Sequence, residues 1–174
     1  MLRQARPVIA SRRRRAEMAF LKETERSLRA YFIVIGVLGT LVALSELGHA
    51  SKASPIARSI VVTLATWFPP LAHLVLAPAF VVAGITLKRA LERGAPRTKQ
   101  LVKISAAVIA VECVLGVVVL NSLGAMQSSS ELAGRAFGRA LIPLLILWYV
   151  YASLRRLADE SQRRIVDALG SKFD

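Results

Sequence analysis

The stretch Leu87-Lys88-Arg89-Ala90-Leu91-Glu92-Arg93-Gly94-Ala95-Pro96-Arg97-Thr98-Lys99-Gln100-Leu101-Val102-Lys103 decides the fold. Six basic side chains crowd it, and a long apolar run lies on either side: Ile56 to Leu87 before it and Leu101 to Leu120 after it. Two such runs joined by a short basic link read as two helices crossing a bilayer, with the link in water on one side. Working outward, Tyr31 to Leu47 and Ala140 to Leu154 are two further apolar runs. All four are continuous rather than alternating, which disfavours barrel strands, and a bilayer admits only helices or closed barrels.

Composition agrees with this reading. The 174 residues are 55% hydrophobic and 20% charged, with a mean hydropathy of +0.51. That is too apolar for an ordinary soluble domain. The length accommodates about four spans of ~20 residues and excludes a large catalytic domain. The expected fold is all-α: a polytopic membrane four-helix bundle with a kinked second span and cytoplasmic N- and C-terminal helices. Its parts are a basic N-terminal helix over 1–30, a four-span domain over 31–154 and an amphipathic tail over 155–174. The spans fall near 31–47, 71–87, 101–120 and 136–154. Ile56 to Leu87, as one straight helix, would reach ~48 Å, more than a bilayer core requires. Pro69 and Pro70 therefore divide it into an outer helix, 56–68, and a span bent near Pro78.

Charge sets the expected sidedness. Of 24 Lys and Arg, nine precede the first span, six lie in Lys88 to Lys103 and five follow the fourth span; only Lys52, Arg58, Arg135 and Arg139 fall elsewhere. The positive-inside rule then places both termini and the middle link in the cytoplasm of a bacterial cell, with the protein in its inner membrane. Gly48 to Pro55 and Asn121 to Gly134 lie outside. The net charge of +13 raises nucleic acid as a partner. Most of the excess, however, including Arg12, Arg13, Arg14 and Arg15, lies beside predicted spans, which favours anionic lipid and no nucleic acid.

A few residues invite chemistry. Glu112 lies nine residues beyond Lys103, roughly 14 Å into a core ~30 Å thick. An acid at that depth needs a partner, a proton or a water path, and it reads either as a proton or cation site or as a packing carboxyl. His73 stands roughly 22 Å from Lys88 by the same count, so direct pairing with Glu112 calls for tilt or a bridging water. It reads as a titrating group or as a structural donor. His49 and His73 as a haem clamp is a weak alternative, and no cofactor or metal is expected. Gly134 and Gly138 form a GxxxG for helix contact. Arg135 and Arg139, four apart, either hold an anionic lipid or snorkel to headgroups. Cys113 is the one cysteine, so no internal disulfide or CxxC is possible. Phosphate-loop, metalloprotease, serine-hydrolase and dinucleotide signatures are absent.

The stretch Trp148-Tyr149-Val150-Tyr151-Ala152-Ser153-Leu154-Arg155-Arg156, with Lys88-Arg89 and Pro96 in the middle link, resembles an uncharacterised family of four-span bacterial inner-membrane proteins, domain of unknown function 2569. Tyr149, Ser153 and Arg155 carry the likeness. Arg29-Ala30-Tyr31 stands where that family has paired glycines and a Trp. The resemblance implies four spans and no activity. The function expected is that of a non-enzymatic subunit, accessory or immunity-type protein working through helix contacts, with a membrane-protein partner or a second copy. The alternative is a small proton, cation or lipid-like solute transporter or channel using Glu112. A lipid-directed enzyme lacks a nucleophile and base pair.

Overall fold

A computed structural model describes residues 5–52, 60–122 and 129–170, which form four helices and one turn. The helices are α1 (Ala5–Lys52), α2 (Ile60–Glu92), α3 (Pro96–Ser122) and α4 (Ser129–Gly170). Each holds a segment long and apolar enough to cross a membrane: Glu17–Ser51, Val62–Glu92, Pro96–Val119 and Ala140–Asp167. The all-α expectation stands, with four helices of the length and composition to span a membrane. Large apolar side chains such as Leu41, Val75, Val114, Ile142 and Trp148 face outward. In water so large an apolar exterior would drive aggregation, whereas lipid solvates it.

The second helix departs from expectation. Residues 60–68 and 71–87 are not two pieces but one helix, Ile60–Glu92, with Pro69, Pro70 and Pro78 inside it; residues 56–59 of the expected outer helix lie outside the described residues. Each proline removes a donor, leaving the carbonyls of Ala65, Thr66 and Leu74 without their helical partners. Proline φ is itself helical, and in spans neighbouring helices and hydroxyls offset the loss. Here α1 lies along α2 through the region of Pro78. A Cβ built at Gly36 would fall 2.5 Å from Val81 Cγ2 and 2.6 Å from the Ala77 carbonyl oxygen, and one at Gly84 would fall 2.8 Å from Ile33 Cγ1 and 3.1 Å from the Arg29 carbonyl oxygen. These glycines let the two backbones close on each other, as small residues do wherever lipid-embedded helices pack tightly.

The link that decided the fold is a turn of three residues. Ala95 N–H donates to Ala90 O at 2.7 Å and Gly94 N–H to Leu91 O at 3.0 Å, the paired bonds of a Schellman cap. Gly94 takes φ +75° and Ala95 φ +49°, the left-handed region that glycine adopts without penalty. Pro96 then opens α3 at a position where a missing N–H costs nothing.

Packing is concentrated at this end. Leu28 and Phe32 of α1, Phe80, Leu87 and Leu91 of α2, Val102 of α3 and Leu147, Val150, Leu154 and Leu157 of α4 form one buried cluster around Ala95. The rings of Phe32 and Phe80 stack at 5.5 Å between centroids. We call this the basic end, because the Lys88 to Lys103 link closes it, and the opposite end the distal end. Along the bundle α2 touches the other three helices, whereas α1 and α3 make no close approach among the described residues.

Candidate functional site

Three polar side chains on three helices meet in the distal half. Glu46 comes from the last turns of α1, His73 from α2 one turn past Pro69, and Glu112 from α3. His73 Nε2 lies 3.2 Å from Glu112 Oε1, and His73 Nδ1 lies 3.8 Å from Glu46 Oε2. The imidazole thus spans the gap between α1 and α3, with one nitrogen toward each carboxylate.

The pairing with Glu112 is direct, closer than the depth count suggests. Counting from Lys88 and Lys103 treats those residues as level, but the chain turns at Gly94. From the two helix ends there, His73 is 19 residues before Glu92 and Glu112 is 16 after Pro96. That difference is ~4.5 Å of axial rise, which two long side chains cover.

Enclosure rises across the cluster. The side chains are 46% exposed at Glu46, 33% at His73 and 20% at Glu112. Glu112 Oε1 is itself buried and accepts no hydrogen bond, so its approach to His73 is a close contact rather than an aligned bond. A buried acceptor in this state costs about 1–3 kcal/mol. The arrangement can hold protons on either carboxylate or either ring nitrogen, or hold a cation. It is poorly built for a metal, because the carboxylates lie on opposite sides of the ring and do not converge, and no metal-binding group of three His, Cys, Asp or Glu occurs among the described residues. His49 is turned back onto its own helix, Nδ1 being 2.7 Å from Ser45 O.

Below the cluster lies a cavity of about 380 Å³. It is open-sided, lying between α1 and α3 against α2 and α4, and Leu38, Val42 and Ile146 on its margin are exposed. Tyr31, Phe80 and Leu147 sit at its floor and Val42 and His73 at its distal rim. Its polar lining is slight: the Ser105 hydroxyl donates to Leu101 O within its own helix at 2.9 Å. A second space, about 390 Å³ at the basic end, is lined by Lys22, Glu25, Lys88, Glu92, Glu160 and Arg164; their charges alternate in sign and give it no net preference.

Of the other expected site residues, Gly134 is exposed with nothing within 4 Å of where its Cβ would stand, so it joins no helix contact among the described residues. The surroundings of Gly138 and the side chains of Arg12, Arg13, Arg14, Arg15, Arg135 and Arg139 lie outside the described residues. Sequence reasoning missed Glu46, whose signal was its place inside an apolar run at about the depth of His73. It also missed the Gly36 and Gly84 seam, which no spacing motif marks. Compared with known proteins, the chain matches no protein-family model, no curated protein and no solved structure. No residue role is therefore borrowed, and the site rests on its own geometry.

Proposed function

We propose that this is a multi-pass protein of a bacterial inner membrane, with both termini and the Lys88 to Lys103 link in the cytoplasm, in which Glu46, His73 and Glu112 form a site that takes up and releases protons or a cation. The observation that carries the reading is the contact of His73 with both carboxylates, one at each nitrogen. Ionisable groups within spans are expensive and are retained where they serve a path. A ring with a nitrogen toward each acid accepts a proton at one face and gives one up at the other. Glu46, the more exposed acid, is the entry on the distal side, and Glu112 the enclosed acceptor. The prolines of α2 bend it near Pro69 or Pro78 and give the helix bearing His73 a hinge. The basic tails, with Arg12 to Arg15, and Arg135 and Arg139 at the far side, rest on anionic lipid.

The test is flux. Protein reconstituted in liposomes with a trapped pH dye conducts or exchanges protons under an imposed gradient, and Glu112→Gln removes at least about 90% of that flux. Wild-type vesicles as tight as protein-free ones would end the reading.

A second reading, an accessory subunit acting through helix contacts with a partner or a second copy, draws on the open surface at Gly134 and the outward ridge of Leu141, Ile142, Leu145 and Trp148. Under it, Gly138→Leu weakens recovery of the partner complex in mild detergent, and undiminished recovery removes that face from consideration.

A further inference from the structure

We infer that the cavity between α1 and α3 binds a small organic cation, an apolar or aromatic body carrying one ammonium-type charge, with the body in the cavity and the charge against Glu46, His73 and Glu112. The inference rests on the proton or cation site proposed above and names what competes with the proton there.

Helical register brings the two features together. Glu46 follows Val42 by four residues and Glu112 follows Val108 by four, and Val42 and Val108 both line the cavity, as does His73 itself. Residues four apart stack on one helix face. Each carboxylate therefore stands one turn beyond the cavity rim, on the face that forms its wall, and the His73 contacts of 3.2 and 3.8 Å set them on either side of the imidazole that closes that rim. The lining is apolar from Tyr31 up to His73. At about 380 Å³ the space falls within the ~300–1,000 Å³ typical of small-molecule sites.

The polar end selects the charge. Among the described side chains two carboxylates and one imidazole adjoin the cavity, a balance that disfavours an anion; the side chain of Arg139, four residues before Pro143 of the lining, lies outside the described residues. Lys103, on the helix that carries Glu112, is turned to the basic end, its Nζ lying 5.5 Å from the Tyr151 ring centroid. A polar neutral ligand finds little to bond, since the Ser105 hydroxyl is already given to its own helix. A bare metal ion finds no convergent ligand set. A cation with an apolar body satisfies both halves of the site, and it supplies a positive charge beside Glu112 Oε1, which lacks a hydrogen-bond donor.

The probe is benzyltrimethylammonium, whose charge is fixed, set against its neutral carbon isostere 2,2-dimethylpropylbenzene and the anion phenylacetate. Titration calorimetry on the full chain in lipid nanodiscs should show saturable binding of the cation at least about tenfold tighter than the isostere, and none of the anion. Glu112→Gln should weaken cation binding about tenfold while leaving the isostere within about twofold. Val108→Phe, which fills the cavity, should weaken both. Equal affinity for cation and isostere, preference for the anion, or no saturable binding overturns the inference, and the wild-type comparison decides even if a variant does not fold. The liposome flux assay separates the two claims. Proton flux lost in Glu112→Gln without cation binding leaves the proton site standing and removes this one; cation binding without flux does the reverse.

Discussion

The two ends of the bundle are built from the same four helices and differ in how those helices meet. At the basic end a three-residue turn clamps α2 to α3, and Phe32, Leu87 and Leu154 are fully buried. In the distal half Val42, Val108, Ile109 and Pro143 border open space, and Val42 is about half exposed. Lipid tails are as apolar as leucine, so apolar burial alone cannot hold spans together; close packing and polar contacts do so. The basic end relies on the first and the distal end on the second. Tight enclosure of large side chains and polar chemistry are thereby found in different halves of the bundle.

The sharpest way to break this comparison is to truncate equivalent side chains at both ends. Leu154→Ala should lower stability by about 2–5 kcal/mol, the range for deleting a fully enclosed leucine. Ile146→Ala, two turns nearer the distal end, 42% exposed and bordering a space that already exists, should cost less than about 1.5 kcal/mol, because part of the side chain already lies outside the packed interior and its loss enlarges a space rather than creating one. Unfolding followed by helical circular dichroism in mixed micelles measures both. Equal losses would mean that the distal half is as tightly packed as the basic half.

Next in size is the seam that joins the two ends. Gly36→Val sets two methyl groups where a single Cβ already falls 2.6 Å from the Ala77 carbonyl oxygen, so α1 must lift from α2. The expected loss is about 1–3 kcal/mol. Lifting α1 also carries Glu46 away from His73, so the same variant should reduce proton flux in liposomes. A variant that loses stability but keeps full flux would uncouple the seam from the cluster.

How much of this was legible beforehand follows from the same physics. Continuous apolar runs and the basic link are composition signals, so four helices and a link between the second and third could be read directly, whereas the link's shortness, three residues between Glu92 and Pro96, could not. Glu112 and His73 stood out because charge within a span is rare. That they touch was not legible, since contact depends on where the helices turn, and Lys88 and Lys103 are poor markers of level. Glu46 lies inside its apolar run, as Glu112 does, but next to its end at Leu47, where an acid passes for a membrane boundary. The continuity of α2 was masked by its prolines, whose local cost is visible in sequence while the support from α1 is not. The cavity has no sequence signal, being the shape left by residues that do not meet.

A smaller effect tests the clamp itself. Gly94→Ala forces a Cβ onto a residue at φ +75° and to within 2.7 Å of Gln162 Nε2 on α4. The amide can swing away, since Gln162 is exposed, so the backbone term dominates. The loss should be about 1–2 kcal/mol. It should also appear as faster hydrogen exchange at the Ala95 N–H, whose bond to Ala90 depends on this conformation. No change in either would mean that the turn tolerates side chains and is not what fixes the basic end.

The smallest expected change has the opposite sign. Gly134 lies in the distal portion of α4, within a helix, exposed, with open space where a side chain would stand. Alanine there removes backbone freedom from the unfolded chain and meets no neighbour, so Gly134→Ala should raise stability by about 0.5–1 kcal/mol. That holds for a chain acting alone. If the Gly134 and Gly138 face packs against a partner or a second copy, the same methyl group holds two backbones apart and the complex weakens instead. Melting temperature measured in dilute micelles and again at high protein density in lipid distinguishes the cases. A gain in both makes this face lipid-exposed surface, whereas a gain in the first and a loss in the second makes the loose end of the bundle an assembly surface.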